Sequence, residues 1–239
     1  MKEIIVRWIK NEVLEAGARG IVLGLSGGVD SSVVAALSVV AMGKRRVLGL
    51  FLPCHSHPGD LKDAKIVAKK LGIKTKTINL SNSYDNILRM LPAANSLVRA
   101  NLKPRLRMLV LYYFANKLNY LVCGTGNKSE VMVGYFTKHG DGATDILPIG
   151  DLFKKQVRTL AKELGIPNHI INKTPSAGLW LDQTDEGEMG LTYAELDDIL
   201  GRLEQKKKQV VSAKKVAKVK RMIRGSEHKR QGPRICYVH

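Results

Sequence analysis

Residues 24–33 read GLSGGVDSSV and follow the apolar run GIVL without a break. Three glycines and three serines in ten positions make a poor strand or helix interior, because glycine costs backbone entropy there. They make a good anion cradle. The first N–H groups of a helix have no partner within it and carry partial positive charge, so they bind phosphate. Gly27 and Gly28 let that backbone come close, and Ser26, Ser31 and Ser32 add hydroxyl donors. Asp30 is the odd member, since a carboxylate repels phosphate unless a cation such as Mg²⁺ lies between them. The stretch lacks the GK[ST] of a Walker loop and is not GxGxxG. SGG alone reads most simply as a tight turn with a serine cap; the complete order strand–SGGVDSS–helix favours phosphate.

The elements that must position this loop are legible from periodicity. Residues 2–16 place Ile5, Trp8, Ile9, Val13 and Leu14 at helical spacing. Apolar runs at 20–26 and 45–53, an alternating segment at 74–80 and YLVCGT at 120–125 read as strands. Helices are expected over 30–42, over 60–73 with Asp60 as N-cap, over 102–119, over 151–167 starting at Asp151, from about Tyr193, and over 212–225 between Ser212 and Gly225. The stretch 173–193 has no period and reads as a long loop of functional kind. Strands alternating with helices imply an α/β fold: three layers, a parallel sheet with helices on both faces. Ligands bind such sheets beyond the carboxyl ends of the strands, where both 24–28 and 124–126 fall.

Composition narrows the class. The chain has 239 residues, 44% apolar and 25% charged, which suits one domain over 1–239 with a basic helical segment from about 200. No apolar run approaches the ~20 residues of a membrane span. The N-terminus mixes both charge signs, unlike a signal peptide. Cys54, Cys123 and Cys236 are far apart, pointing to a reducing cytoplasm and to packing roles. Of the net charge of +18, +11 falls between Arg202 and His239. Without interleaved aromatics, that basic tail reads as a solvated face with a few phosphate-gripping residues rather than as a nucleic-acid surface. His55 and His57 stand two apart with no third ligand, so they read as loop residues.

Ser26-Gly27-Gly28-Val29-Asp30-Ser31 resembles the SGGxDS signature of the ATP pyrophosphatases, or PP-loop synthetases, whose loop holds the pyrophosphate that leaves as a substrate is adenylated. CGTGNKSEVMVGYFTKHGDGATDILPIGDLFKKQVRTLAKELGIP (123–167), KTPSAGLW (173–180), DDIL (197–200) and SEHKRQGP (226–233) are similar to the ammonia-dependent NAD synthetases within that class. The resemblance implies an adenine nucleotide alpha-hydrolase-like (Rossmann-like) fold and a cytoplasmic homodimeric ligase. Its substrates would be ATP, deamido-NAD and ammonia, its metal Mg²⁺, and its products NAD, AMP and pyrophosphate. The chemistry has a clear need. A nicotinate carboxylate resists amines because oxide is a poor leaving group; attack on the α-phosphorus of ATP converts that oxide to AMP, which ammonia displaces.

Carried over residue by residue, the resemblance implies ATP contacts from Gly24, Leu25, Ser26, Gly27, Gly28, Val29, Asp30, Ser31 and Ser32, and from Thr125, Lys154 and Ser176. It implies Mg²⁺ at Asp30 and Glu130. Deamido-NAD would meet Asn101 and Arg105, which share a helix face and match residues reaching across a dimer interface. It would also meet Lys138, Asp141, Asp145, His228 and Lys229. Tyr135 and Phe136 would help shape the nicotinate pocket. Asp141, Lys154 and Lys229 are the catalytic candidates: a carboxylate to take a proton from ammonium and two cations for developing phosphate charge. Two features depart from the family pattern, CHSH at 54–57 and Leu97 where an aromatic is common. No segment is left over for a glutaminase domain. A tRNA-modifying PP-loop enzyme and a non-catalytic nucleotide-binding protein are the competing readings. The first predicts salt-sensitive RNA binding; the second leaves Asp30, Glu130 and Lys154 without a purpose.

Overall fold

The computed structural model describes residues 1–180 and 182–238. The run GIVLG forms β1 (Gly20–Gly24), an inner strand of a four-stranded parallel sheet. β2 (Val47–Phe51) and β4 (Tyr120–Val122) flank it, and β3 (Lys74–Thr77) lies beyond β2, giving the order β3-β2-β1-β4. Val22 stands opposite Leu48 and Val122 in register. Because neighbouring strand side chains point to opposite faces, β1 feeds two cores at once. Ile21 and Leu23 pack with α1 (Lys2–Glu15), α2 (Val29–Met42), α3 (Pro58–Leu71) and α8 (Lys154–Glu163). Val22 packs on the other face with α4 (Ser81–Met90) and α6 (Leu102–Leu118). The three-layer α/β architecture is therefore as the sequence implied.

α2 is mostly apolar and mostly buried, so the loop before it is fixed by a packed element on each side. Two short helices, α5 (Ser96–Ala100) and α7 (Lys128–Val133), lead into α6 and follow β4. α9 (Asn168–Ile171) follows α8. A separate apolar cluster joins Val133 to α10 (Asp185–Met189), α11 (Tyr193–Glu204) and α12 (Ala213–Gly225). It joins the last three helices to α7, the helix that follows β4.

Several expectations need correction. α3 is capped by His57, whose Nδ1 accepts the Gly59 N–H at 3.1 Å, with Pro58 in the first turn; Asp60 lies inside the helix. His55 and His57 do lie in the loop before α3, as read, and His55 pairs with Asp85 at 2.9 Å. α8 begins at Lys154 rather than Asp151, which instead meets Lys128. All four β3 residues are exposed, as an edge strand allows, and burial starts only at Ile78 and Leu80. The stretch 173–193 is not all loop, since it contains α10. α12 has no side-chain cap bond from Ser212 and runs through Gly225 before stopping. Cys54 and Cys123 are buried, but Cys236 is exposed.

Candidate active site

The glycine-rich loop joins β1 to α2, and its hydroxyls are already oriented. Ser26 Oγ accepts the Gly28 N–H at 3.2 Å and meets Ser31 Oγ at 3.0 Å. The Ser31 and Ser32 hydroxyls donate to the Gly28 carbonyl at 3.1 and 2.8 Å. Gly28 is the N-cap of α2, so the first N–H groups of that helix open onto the loop. Gly27 is the residue that cannot change. Its φ is +84°, and a Cβ there would lie 2.3 Å from the Asp60 carbonyl oxygen of α3. Gly27→Ala is expected to cost about 1–3 kcal/mol in backbone strain and clash. A melting temperature within a degree of the parent's would contradict that.

Three charged groups meet beside this loop. Lys154, 1% exposed, aims its ammonium at Asp30 Oδ2 (2.6 Å) and Glu130 Oε1 (3.2 Å). Burial lowers the Lys154 pKa, but the charges of Asp30 and Glu130 outweigh it and raise the value overall. Burial raises Glu130 to about 7 against the pull of Lys154. Asp30 is also held by Asn127, whose Nδ2 donates to Oδ1 at 3.1 Å. Asn127 and Glu130 form a capping box on α7, so the helix start and the carboxylate are fixed together. Two carboxylates from different elements thus share one cation, a donor set that fits a hard dication as well as an ammonium. Among the described residues no group of three or more His, Cys, Asp or Glu converges, so any further ligands would come from phosphate oxygens or water.

The remaining candidates separate into groups. Asn101, Arg105, Lys138, Asp141, His228 and Lys229 gather around the 134–141 segment. Asn101 Oδ1 accepts the Thr137 hydroxyl at 2.8 Å, Arg105 reaches the Lys138 carbonyl at 3.4 Å, and Asp141 Oδ1 accepts the Thr137 N–H at 2.8 Å. Lys138 donates to the His228 carbonyl at 2.6 Å. Lys229 donates to the Gly134 and Phe136 carbonyls at 2.8 and 2.9 Å, with its ammonium over the Phe136 ring. Asp145 stands apart: its two oxygens accept the Val122 N–H (2.7 Å) and the Tyr112 hydroxyl (3.0 Å), pinning β4. Thr125 is half-buried between β4 and Asn127. Ser176 is exposed, its hydroxyl oxygen accepting the Gly178 N–H at 3.1 Å. Its segment starts beside the phosphate loop, because Lys173 binds Asp60 and Asp63 at 2.8 and 2.6 Å.

Several residues that matter here were missed by sequence reasoning. Ser129 donates to Asp197 at 2.5 Å and accepts the Lys154 N–H at 3.0 Å, while Asp197 takes the Lys155 N–H at 3.0 Å. Asp197 thereby secures the start of the helix that presents Lys154. Tyr193 and Asp185 lie behind the carboxylates. N127-x-x-E130 was a visible capping-box signal; the contacts of Asp197 and Tyr193 with residues more than sixty positions earlier were not.

A parallel sheet with a glycine- and serine-rich loop at the carboxyl end of β1, and a carboxylate pair closing on a lysine, agrees with the resemblance to the PP-loop ATP pyrophosphatases. Comparison carries this further. The NAD synthase family model matches residues 1–233. An NH(3)-dependent NAD(+) synthetase from Carboxydothermus hydrogenoformans is 48% identical over 238 residues, covering 98% of this chain and 95% of that protein. Among solved structures, NMN synthetase from Francisella tularensis superposes with a TM-score of 0.91 at 40% identity, covering 98% and 96% of the two chains. The NH3-dependent NAD synthetase of Campylobacter jejuni gives 0.86 at 29% identity, covering 99% and 97%. The chain belongs to the NAD synthase family.

Proposed function

We propose that Asp30, Glu130 and Lys154 form the adenylation centre of an ammonia-dependent NAD synthetase, with Mg²⁺ held by the two carboxylates. The reaction is the ATP-dependent amidation of deamido-NAD to NAD. The observation that carries the assignment is the convergence of both carboxylates on one cation at the mouth of the phosphate loop. A bound dication would neutralise phosphate charge and favour departure of pyrophosphate.

The chain's own groups do the rest. The loop N–H groups and serine hydroxyls hold the leaving phosphates, and the Lys154 ammonium stabilises charge as it develops. The nicotinate carboxylate attacks the α-phosphorus and pyrophosphate leaves; ammonia then attacks the activated carbonyl and AMP leaves. Asp141 takes the proton that ammonium must lose. Asp141 is exposed at the surface, yet the protein packed around its carboxyl pushes it above the ordinary range, against the Thr137 and Asp141 N–H groups and the charges of Arg107 and Lys229. Asn101, Arg105, Lys138, His228 and Lys229 hold the dinucleotide around the 134–141 segment, Thr125 and Ser176 face ATP, and Asp145, which pins β4, borders the deamido-NAD. Omitting Mg²⁺ in excess EDTA tests the centre: NAD, AMP and pyrophosphate should all vanish, and undiminished turnover would overturn the metal assignment.

A homodimer is supported by Leu97, Val98, Leu109 and Tyr113, large apolar side chains exposed on α5 and α6. Sedimentation at assay concentration tests it. Arg105→Ala is expected to raise KM for deamido-NAD roughly tenfold, the cost of one charge-assisted contact, with little change for ATP. Equal effects on both would contradict the placement. A cytoplasmic site of action suits the free thiols of Cys54 and Cys123, and the whole chain is read as one synthetase domain. Likeness to an NMN synthetase supports a second substrate for the same chemistry, the nicotinate mononucleotide, and Leu97 in place of an aromatic is consistent with weaker adenine stacking. The ratio of kcat/KM for the two substrates decides between them.

A further inference from the structure

We infer that Tyr193 is a positioning residue for the ATP-cleaving centre, holding Glu130 with its hydroxyl and Lys154 with its ring, and that Asp185 anchors it. Tyr193 opens α11, 63 residues from Glu130 in sequence, and is 2% exposed. Its hydroxyl lies 3.0 Å from Glu130 Oε1 and 2.9 Å from Asp185 Oδ2. The Lys154 ammonium sits 4.7 Å from the centre of its ring. Asp185, on α10, is buried, and its other oxygen accepts the Tyr135 hydroxyl at 3.1 Å. The Tyr193 N–H donates to Glu186 Oε1 at 2.8 Å, so backbone and side chain are both tied down.

Burial alone does not ask for this arrangement. A buried tyrosine hydroxyl needs one partner, and Asp185 would suffice. A second carboxylate within reach, Glu130, goes beyond what satisfying that hydroxyl requires, and the single hydrogen is shared between the two acceptors. Glutamate has three side-chain torsions, and fixing them costs up to about 2 kcal/mol of rotamer freedom. A carboxylate already fixed by Asn127 on one oxygen and Tyr193 on the other does not lose that freedom when a cation arrives. Lys154 gains an aromatic face on its third side, which keeps its ammonium aimed between the two carboxylates. The same network joins the centre to the 173–193 stretch. That stretch is pinned at Lys173 by Asp60 and Asp63, at the Leu179 carbonyl by Lys103 (2.6 Å), and at Asp185 by the two tyrosines.

The inference rests on the assignment of Asp30 and Glu130 to a divalent cation, so the test separates the two. Tyr193→Phe in the full chain keeps the ring and the packing and removes only the hydroxyl. Mn²⁺ binding is read by electron paramagnetic resonance with a non-hydrolysable ATP analogue present. The parent should bind Mn²⁺, and Tyr193→Phe should bind it about tenfold more weakly, about 1.4 kcal/mol. KM for deamido-NAD should stay within about twofold, which a general loosening of the fold would not spare. Asp185→Asn, whose amide can donate to the Tyr193 oxygen and leave the hydroxyl hydrogen to Glu130, should keep Mn²⁺ affinity within about twofold of the parent's and decides the matter if Tyr193→Phe does not fold. A parent that binds no Mn²⁺ overturns the metal assignment and this inference with it. A parent that binds, with Tyr193→Phe equal to it or, where that variant does not fold, Asp185→Asn about tenfold weaker, overturns the positioning role alone.

Discussion

Lys154→Met is expected to cut NAD formation sharply and to lower stability together. Methionine matches the lysine stem in length and fills the same space, so the change isolates the charge. Without the ammonium, Asp30 and Glu130 face each other with no cation between them, in a site where Lys154 was 1% exposed. Removing one partner from a buried ionic cluster costs about 3–5 kcal/mol. For a chain of this size each kcal/mol lowers the melting temperature by roughly 2–4 °C. Loss of a preorganised cation at the phosphates should separately reduce kcat by about 10²–10³-fold. Divalent cation should then restore part of the lost stability, more for the variant than for the parent, because it can take the vacated place between the carboxylates. A variant that melts like the parent and ignores Mg²⁺ would show that the cluster is not a shared cation site.

Asp30→Asn should be the more selective lesion. The amide keeps the shape, but its single oxygen can accept only one of the Asn127 amide (3.1 Å) and the Lys154 ammonium (2.6 Å), so the chain should fold with α2 in place at a lower melting temperature. Lys154 keeps Glu130 as a partner. What disappears is one of two negative charges facing the cation, and hard dications depend on carboxylate charge for affinity. Pyrophosphate release should fall by about 10³-fold or more, comparable with losing a principal electrostatic contributor to catalysis. ATP should still bind through the loop N–H groups, measured by calorimetry without metal. Unchanged pyrophosphate release would remove Asp30 from the chemistry.

These expectations rest on features of unequal visibility in the sequence. The phosphate loop was legible because its chemistry is local: glycines, serines and an aspartate lie between a strand and a helix within nine residues. β1, β2, α2 and α6 were legible because their apolar runs are long or bounded by glycine. The start of α3 was misplaced because an imidazole competed with a carboxylate for the cap, although Pro58 at the first helical position was a usable sign. α10 was missed because five residues carry too little periodicity, although Thr184 caps it and Gly190 ends it in the left-handed conformation. Asp30 and Glu130 as metal ligands and Lys154 on the ATP phosphates came from resemblance, while the pairing of Lys154 with both carboxylates, and Tyr193, Asp185 and Asp197, came only from structure. Each acts across a long stretch of chain, where tertiary packing rather than local pattern decides what meets.

The most direct test of the adenylation centre follows one oxygen atom. Deamido-NAD labelled with ¹⁸O in its nicotinate carboxylate is turned over with ATP, Mg²⁺ and ammonium, and AMP is analysed by mass spectrometry. If the carboxylate attacks the α-phosphorus, one labelled oxygen passes to AMP for each NAD formed, and pyrophosphate carries none. Label in pyrophosphate or phosphate, or ADP as the nucleotide product, would contradict attack at the α-phosphorus and with it the roles given to Asp30, Glu130 and Lys154.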